Sequence, residues 1–194
     1  SGDITMRPAE GSILPETYFY TRGTTRDAML NRMQEKLEML LLDAWVGRDK
    51  DLPFKTREEA LILASIVELE TADSADRREV AGVFVNRLRR SIRLQSDPTV
   101  LYGVSGGERR VIRRSDLKRD TEWNTYVIRG LPKTPICNPS RDSIDAVMHP
   151  AKTKNLYFVS DGYGGLRFAK ELDEHNKNVR LFRKVQRKAG QRGS

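Results

Sequence analysis

Between Ala60 and Leu69 the only polar side chains are Ser65 and Glu68, and a helix that is apolar on nearly every side is a buried one. This run constrains the chain more than any other, because the remaining elements must cover it. Its start is marked by a capping box: Thr56 stands at the cap, and Glu59, three residues on, can reach back to the cap's own N–H. Pro53 keeps the helix from starting earlier. At about 100° per residue, Glu68 shares its face with Leu61, Ala64 and Ser65. Desolvation there predicts a raised carboxyl pKa and a proton donor near neutral pH. The plainer reading is that Glu68 ends a core helix and turns to solvent or to an arginine such as Arg77 or Arg78. Glu70 is its rival and points about 200° away around the helix. Spacing alone does not choose between them.

Composition closes off several function classes. The 194 residues are 38% hydrophobic, enough for one ordinary core and too many for a disordered chain. No run approaches the ~18 apolar residues that span a bilayer, and no secretory h-region opens the sequence. The chain therefore reads as soluble, with Ser1-Gly2 a cloning remnant and residues 1–9 a linker. Thirty-five Lys and Arg against 27 Asp and Glu give a net charge of +8, which suits an anionic partner. One cysteine, Cys137, excludes an intrachain disulfide. With only His149 and His175 beside it, a Cys/His metal site lacks ligands, and no cofactor motif is present.

Along the chain, Glu10 to Tyr20 reads as a turn and then an extended or strand segment that pairs with something later. Thr24 or Thr25 caps a long amphipathic helix with Met29, Met33, Leu37, Leu40, Leu41 and Ala44 on one stripe, ending near Gly47. Its polar face mixes acids and bases, which argues against a membrane-surface helix. Asp76 is placed to cap a helix whose apolar face is Val80, Ala81, Phe84, Val85 and Leu88. The run Arg87, Arg89, Arg90, Arg93 that follows reads either as a solvated helix end favoured by the dipole or as a functional basic patch. Asp97-Pro98-Thr99 is a turn or helix start that gathers Gln95, Asp97 and Thr99, all hydroxyl-reading side chains. Asp97 is expected to bind its own backbone in that turn.

Ser105 to Arg110 reads as an exposed loop, and Ser115 opens a short helical stretch. Trp123 to Ile128 turns strand-like, and its Asn124 and Thr125 beside an aromatic suit a sugar, whose C–H face stacks on rings while its rim needs amides and hydroxyls. Ser140 caps a helix that stops at Pro150. Leu156–Ser160 and Leu166–Ala169 flank Asp161-Gly-Tyr-Gly-Gly165 as a β-hairpin. No helix follows those glycines and no Gly-Lys-Ser/Thr is present, so they do not read as a phosphate loop. A basic helix runs from Leu172 to Lys188, and residues 189–194 read as a disordered tail.

Nucleophilic catalysis finds no support, since no Gly-X-Ser-X-Gly turn occurs and Cys137 lies between Ile136 and Asn138 with no local base. General acid/base work by a half-buried carboxylate is the chemistry left.

Three runs follow one another in a specific succession: Ser65-Ile-Val-Glu68, Val83-Phe-Val-Asn86-Arg-Leu88, and Leu94-Gln-Ser-Asp97-Pro-Thr99-Val-Leu-Tyr102-Gly103. In this the chain resembles the YceG-like (MltG) endolytic murein transglycosylases. Pro15-Glu-Thr-Tyr18, Asn124-Thr-Tyr126, Gly130-Leu-Pro132, Pro150-Ala-Lys-Thr153, Leu156-Tyr-Phe-Val159 and His175-Asn176 extend the resemblance over residues 10–180 or so. Leu69, where the family usually has Lys, departs from the pattern, as do Asn138-Pro-Ser140 and Met148-His149-Pro150.

The resemblance implies an α+β fold, with helices carrying the catalytic Glu packed on a small antiparallel sheet, and a catalytic domain over residues 10–188. It implies cleavage of the MurNAc-β-1,4-GlcNAc bond inside peptidoglycan strands, leaving 1,6-anhydroMurNAc ends. Glu68 maps to the catalytic acid, and Ser65, Asn86, Gln95, Asp97, Thr99, Tyr102, Asn124 and Tyr126 are the candidate substrate-binding residues. No metal or other cofactor is implied. The implied partners are glycan strands and the peptidoglycan synthesis complex. The implied setting is the bacterial inner membrane, reached through an N-terminal anchor, with this domain facing the periplasm. Three other readings stay open: a noncatalytic peptidoglycan-binding module, a lysozyme-type hydrolase using Glu68 and Asp97, and a nucleic-acid binder using arginines 87, 89, 90, 93, 109, 110, 113 and 114.

Overall fold

The computed structural model describes residues 4, 5, 7–108 and 111–190; the expectations for residues 1–3 and 191–194, and for Arg109 and Arg110, fall outside that range. Among the described residues six helices and one two-stranded antiparallel sheet make an α+β fold, as expected: α1 (Arg26–Gly47), α2 (Arg57–Glu70), α3 (Ser74–Arg89), α4 (Asp97–Ser105), α5 (Arg141–Met148), β1 (Tyr157–Ser160), β2 (Leu166–Ala169) and α6 (Leu172–Gly190). A 3-10 turn, Asp116–Lys118, supplies the short helical stretch after Ser115. Among the described residues no helix is long and apolar enough to cross a membrane.

The α2 helix is central because the middle of its sequence leaves it almost no solvent face. Ala60 and Ile62 through Val67 are all buried, and α1, α3, α4 and α5 pack around them. The capping box is present: Thr56 Oγ1 accepts from the Glu59 N–H at 3.2 Å, and Glu59 Oε2 accepts from the Thr56 N–H at 3.4 Å. Satisfying both orphan donors fixes where the helix begins, and hence where its last turn delivers Glu68 and Glu70.

Several local expectations are corrected by packing. The Glu10–Tyr20 segment is extended but pairs with no strand; Leu14, fully buried, instead donates its N–H to the Met33 carbonyl on α1. The cap of α3 is Asp73, whose carboxylate accepts from the Ala75 N–H at 2.9 Å, and Asp76 lies in the first turn. Residues 123–128 form turns instead of a strand. Asn124 accounts for this: its Oδ1 accepts from the Tyr126 N–H, and its carbonyl accepts from Val127 and Ile128, an Asx arrangement that outcompetes a ladder.

The hairpin is where the sequence places it, with Tyr157 opposite Ala169 and Ser160 opposite Leu166. Phe158 meets Phe84 of α3 edge-on at 5.7 Å, and α6 closes over both strands. Gly162, at φ +86°, is required at the hairpin tip, where a Cβ would sit 2.6 Å from Val185 Cγ1 of α6.

Candidate active site

The last turn of α2 sends its two carboxylates to different places. Glu68 faces α5. Its Oε2 accepts from the Ser140 N–H at 3.0 Å, the Ser140 hydroxyl at 2.5 Å and the Ser143 hydroxyl at 2.6 Å, while Oε1 lies 3.5 Å from Arg77 Nη2. Ser140 is itself the cap of α5, so Glu68 anchors that helix start with a negative charge where the dipole favours one. The raised pKa expected for Glu68 is not found. Burial pushes it up, but the Ser140 and Ser143 hydroxyls, the Ser140 amide and the Arg77 guanidinium outweigh that and hold it below the ordinary value.

A carboxyl with a depressed folded pKa stabilises the fold above its unfolded pKa, and that contribution is lost as pH falls through the folded value. Glu68→Gln is therefore expected to cost on the order of 2 kcal/mol at pH 7, from weakened charge-assisted hydrogen bonds, visible as a drop in Tm. The deficit should shrink below pH 4. An unchanged Tm at pH 7 would contradict the anchoring role.

Glu70 faces the other way, into a cleft of about 550 Å³ whose lining includes Arg87, Gln95, Asp97, Tyr126, Tyr157 and His175. That volume is ordinary for a small-ligand site. Burial, reinforced by the nearby Asp97 charge, pushes the Glu70 carboxyl up to about 7, with the Ser96 hydroxyl and Arg87 acting in the opposite direction. Ser96 Oγ is buried, and the Glu70 carboxyl is the acceptor its hydroxyl faces.

Arg87 organises the wall behind this acid. Its side chain, 7% exposed, donates to the carbonyls of Leu156 (2.6 Å), Arg93 (2.9 Å) and Leu94 (3.0 Å) and to Gln95 Oε1 (3.2 Å). One guanidinium therefore ties α3, the Arg93–Gln95 loop and the start of the hairpin together. Gln95 adopts a left-handed backbone, φ +53°, a conformation held by its N–H bond to the Thr125 carbonyl and by Arg87; strain of this kind gathers at functional sites. Asp97 does not bind its own backbone as expected. It stands at the start of α4 and accepts from the Tyr126 hydroxyl at 2.7 Å. On the hairpin side the Tyr157 ring stacks on His175 at 5.1 Å and 25°, with the Arg87 guanidinium 5.1 Å from its centroid. Burial and Arg87 lower the His175 pKa. Its buried Nδ1 has no partner among the described residues. An unpaired lone pair costs less than an unpaired donor, so Nε2 carries the proton of a neutral ring.

Of the candidate binding residues, Gln95, Asp97 and Tyr126 share the cleft with Glu70. Ser65 is in the core, donating to the Ile62 carbonyl and accepting from the Ile136 N–H. Asn86 clamps the carbonyls of Thr153 and Asn155, Asn124 those of Asp116, Leu117 and Arg119, and Thr99 bonds Ser96 and Thr125. These four amides and hydroxyls are occupied within the fold. Tyr102 packs on Trp123 and lines a separate cavity of about 450 Å³, which meets the first at Asp97. Sequence reasoning missed Arg87, Tyr157 and His175 as cleft residues; the His175-Asn176 and Leu156–Val159 runs were the available signal.

A model of the family described as YceG-like matches residues 2–181. The chain belongs to the YceG-like family. An endolytic murein transglycosylase of Bacillus subtilis (strain 168) is 37% identical over 174 residues, which is 88% of this chain and 47% of that protein. One from Streptococcus pneumoniae is 34% identical over 176 residues, 88% of this chain and 31% of that protein. The chain thus spans about half the length, or less, of these relatives. A 2.6 Å crystal structure of a yceG-like protein from Listeria monocytogenes superposes with a TM-score of 0.74 at 33% identity, over 86% of this chain and 54% of that one.

Proposed function

We propose that this chain is the catalytic region of an endolytic peptidoglycan lytic transglycosylase, with Glu70 in place of Glu68 as its general acid and then base. The observation that carries the reading is a carboxyl with a pKa near 7 in a cleft furnished with Gln95, Asp97 and Tyr126. The family and the names of its relatives supply the substrate class. Glu70 protonates the oxygen leaving from the MurNAc-β-1,4-GlcNAc bond. The resulting carboxylate, favoured by the Ser96 hydroxyl and the Arg87 charge, takes the proton from the muramyl 6-hydroxyl as that oxygen attacks the anomeric carbon. Acid and base duties fall to one residue, and the product carries a 1,6-anhydro ring. Asp97, oriented by Tyr126, stabilises positive charge on the sugar, and its charge favours the protonated form of Glu70. Gln95, fixed by Arg87, reads the sugar rim. Because peptidoglycan lies outside the cytoplasmic membrane, the region works on that side, beside the enzymes that make the strands.

One observation favours a second reading. Asp97 and Glu70 share the cleft, and two carboxylates are what a lysozyme-type hydrolase needs. Mass spectrometry of products from purified glycan strands separates the two. The transglycosylase yields ends about 18 Da lighter than hydrolysed ones and inert to borohydride, because no water is added. Reducing muramic ends would make Asp97 a working base or nucleophile, and binding without cleavage would leave a peptidoglycan-binding module.

A further inference from the structure

We propose that the outward face of α6 is a docking surface for a bilayer rich in anionic phospholipid, a role separate from the cleft chemistry. From Lys177 to Lys188 the helix carries six bases, Lys177, Arg180, Arg183, Lys184, Arg187 and Lys188, and no acid. These six equal three quarters of the chain's net charge of +8. Charge of one sign is therefore segregated onto a single element. Several bases elsewhere are paired: Lys133 with Glu122, Arg78 with Asp145 and Arg141 with Glu16. The six α6 bases are all exposed and form no ion pair among the described residues.

Helical geometry gathers five of them. At about 100° per residue, Lys177, Arg180, Lys184, Arg187 and Lys188 fall within an arc of about 100°, with Arg183 just beyond its edge. The opposite face is occupied: His175 stacks on Tyr157, Phe182 and Val185 meet the hairpin tip at Gly162, and Leu172 and Val179 line the cleft. The basic arc thus points directly away from the body of the fold. It is a straight stripe about 16 Å long at 1.5 Å per residue, suited to a flat anionic surface.

Leu181 decides the kind of surface. It is 48% exposed and sits beside Lys177, Lys184 and Lys188 at the border of the arc. An exposed leucine gains nothing from a phosphate polymer, but at a bilayer it enters the acyl boundary while the lysines around it hold the headgroups, the arrangement of an interfacial helix. Because the same helix lends His175 and Val179 to the cleft, docking would hold the cleft at a fixed distance from the membrane.

The test is co-sedimentation of the 194-residue chain with vesicles of phosphatidylcholine containing one third phosphatidylglycerol, against phosphatidylcholine alone. Binding only to the anionic vesicles, weakened at least ten-fold between 50 and 500 mM salt, is expected. The combined variant Lys177→Glu, Arg180→Glu, Lys184→Glu, Arg187→Glu should lose it. A variant with the same total charge, Lys50→Glu, Lys55→Glu, Arg90→Glu, Lys118→Glu, should keep it. Circular dichroism and unchanged cleavage of soluble glycan strands establish that both variants are folded. Leu181→Asp should weaken vesicle binding several-fold. Three results would overturn the proposal: equal loss in the two four-site variants, retention by the α6 variant, or polyphosphate or duplex DNA bound as tightly as vesicles with no dependence on Leu181.

Discussion

Glu70→Gln is expected to lower cleavage of glycan strands by roughly a thousand-fold, the worth of a positioned acid/base group, while leaving the fold intact. The amide keeps the shape of the side chain but neither gives up nor receives the proton. Stability should move in the opposite direction to activity. The folded Glu70 pKa of about 7 lies above the ordinary carboxyl value of 4.5, so between those two pH values the native state holds a proton that the unfolded chain has released. Stability of the wild type thus falls as pH rises through that window, and the full cost of ionising the partly buried group, up to about 3 kcal/mol, is present above it. Glu70→Gln removes this cost. Its Tm relative to wild type should rise from pH 5 to pH 8, a pattern that a merely damaged protein does not show. Glu68→Gln should do the reverse, keeping most turnover per folded molecule while losing stability.

The second large effect is expected at Arg87. Arg87→Met leaves the carbonyls of Leu156, Arg93 and Leu94 without their donor, and the bonds to Leu156 and Leu94 are buried. Breaking a buried charged hub of this kind costs about 3–5 kcal/mol. For a domain of this size that lowers Tm by roughly 6–20 °C. Arg87 also pulls the Glu70 pKa down, so the folded fraction of the variant should hold Glu70 protonated to higher pH. Arg87→Lys keeps the charge without the fork, and should recover the titration of Glu70 more fully than the stability. A change of less than 1 kcal/mol in Arg87→Met would contradict the central place given to this residue.

The contrast between Glu68 and Glu70 shows what was legible in the chain and what was not. The burial of α2, its capping box, the hairpin and the helices after Thr25 and Ser140 follow from local pattern, because caps, periods and turn residues act within a few positions. The fate of a carboxylate at the end of α2 does not. Glu68 is set by Ser140 and Ser143, more than seventy positions later in the chain, and Glu70 by the walls that Arg87 and the hairpin bring over it. The apolar neighbours of Glu68 on its own helix suggested desolvation, but the partners supplied by α5 reversed the outcome. Arg87 was concealed in the same way. Inside a run of arginines it reads as one more solvated base, yet the Leu156 carbonyl, sixty-nine positions on, is what draws it into the fold. Asn86, Thr99 and Asn124 carry sugar-reading groups by type, but the backbone of the fold claimed them first.

The central claim is that Glu70 is the protonated acid of the cleft, and carboxyl-carbon NMR titration of the 194-residue chain, with resonances assigned through Glu68→Gln and Glu70→Gln, tests it most directly. Glu70 should titrate near 7 and Glu68 below the ordinary glutamate value. In Asp97→Asn the Glu70 midpoint should fall, because the charge that helps hold the proton is gone. A Glu70 midpoint between 4 and 5, with Glu68 the carboxyl that stays protonated near neutrality, would contradict the account and return the catalytic role to Glu68.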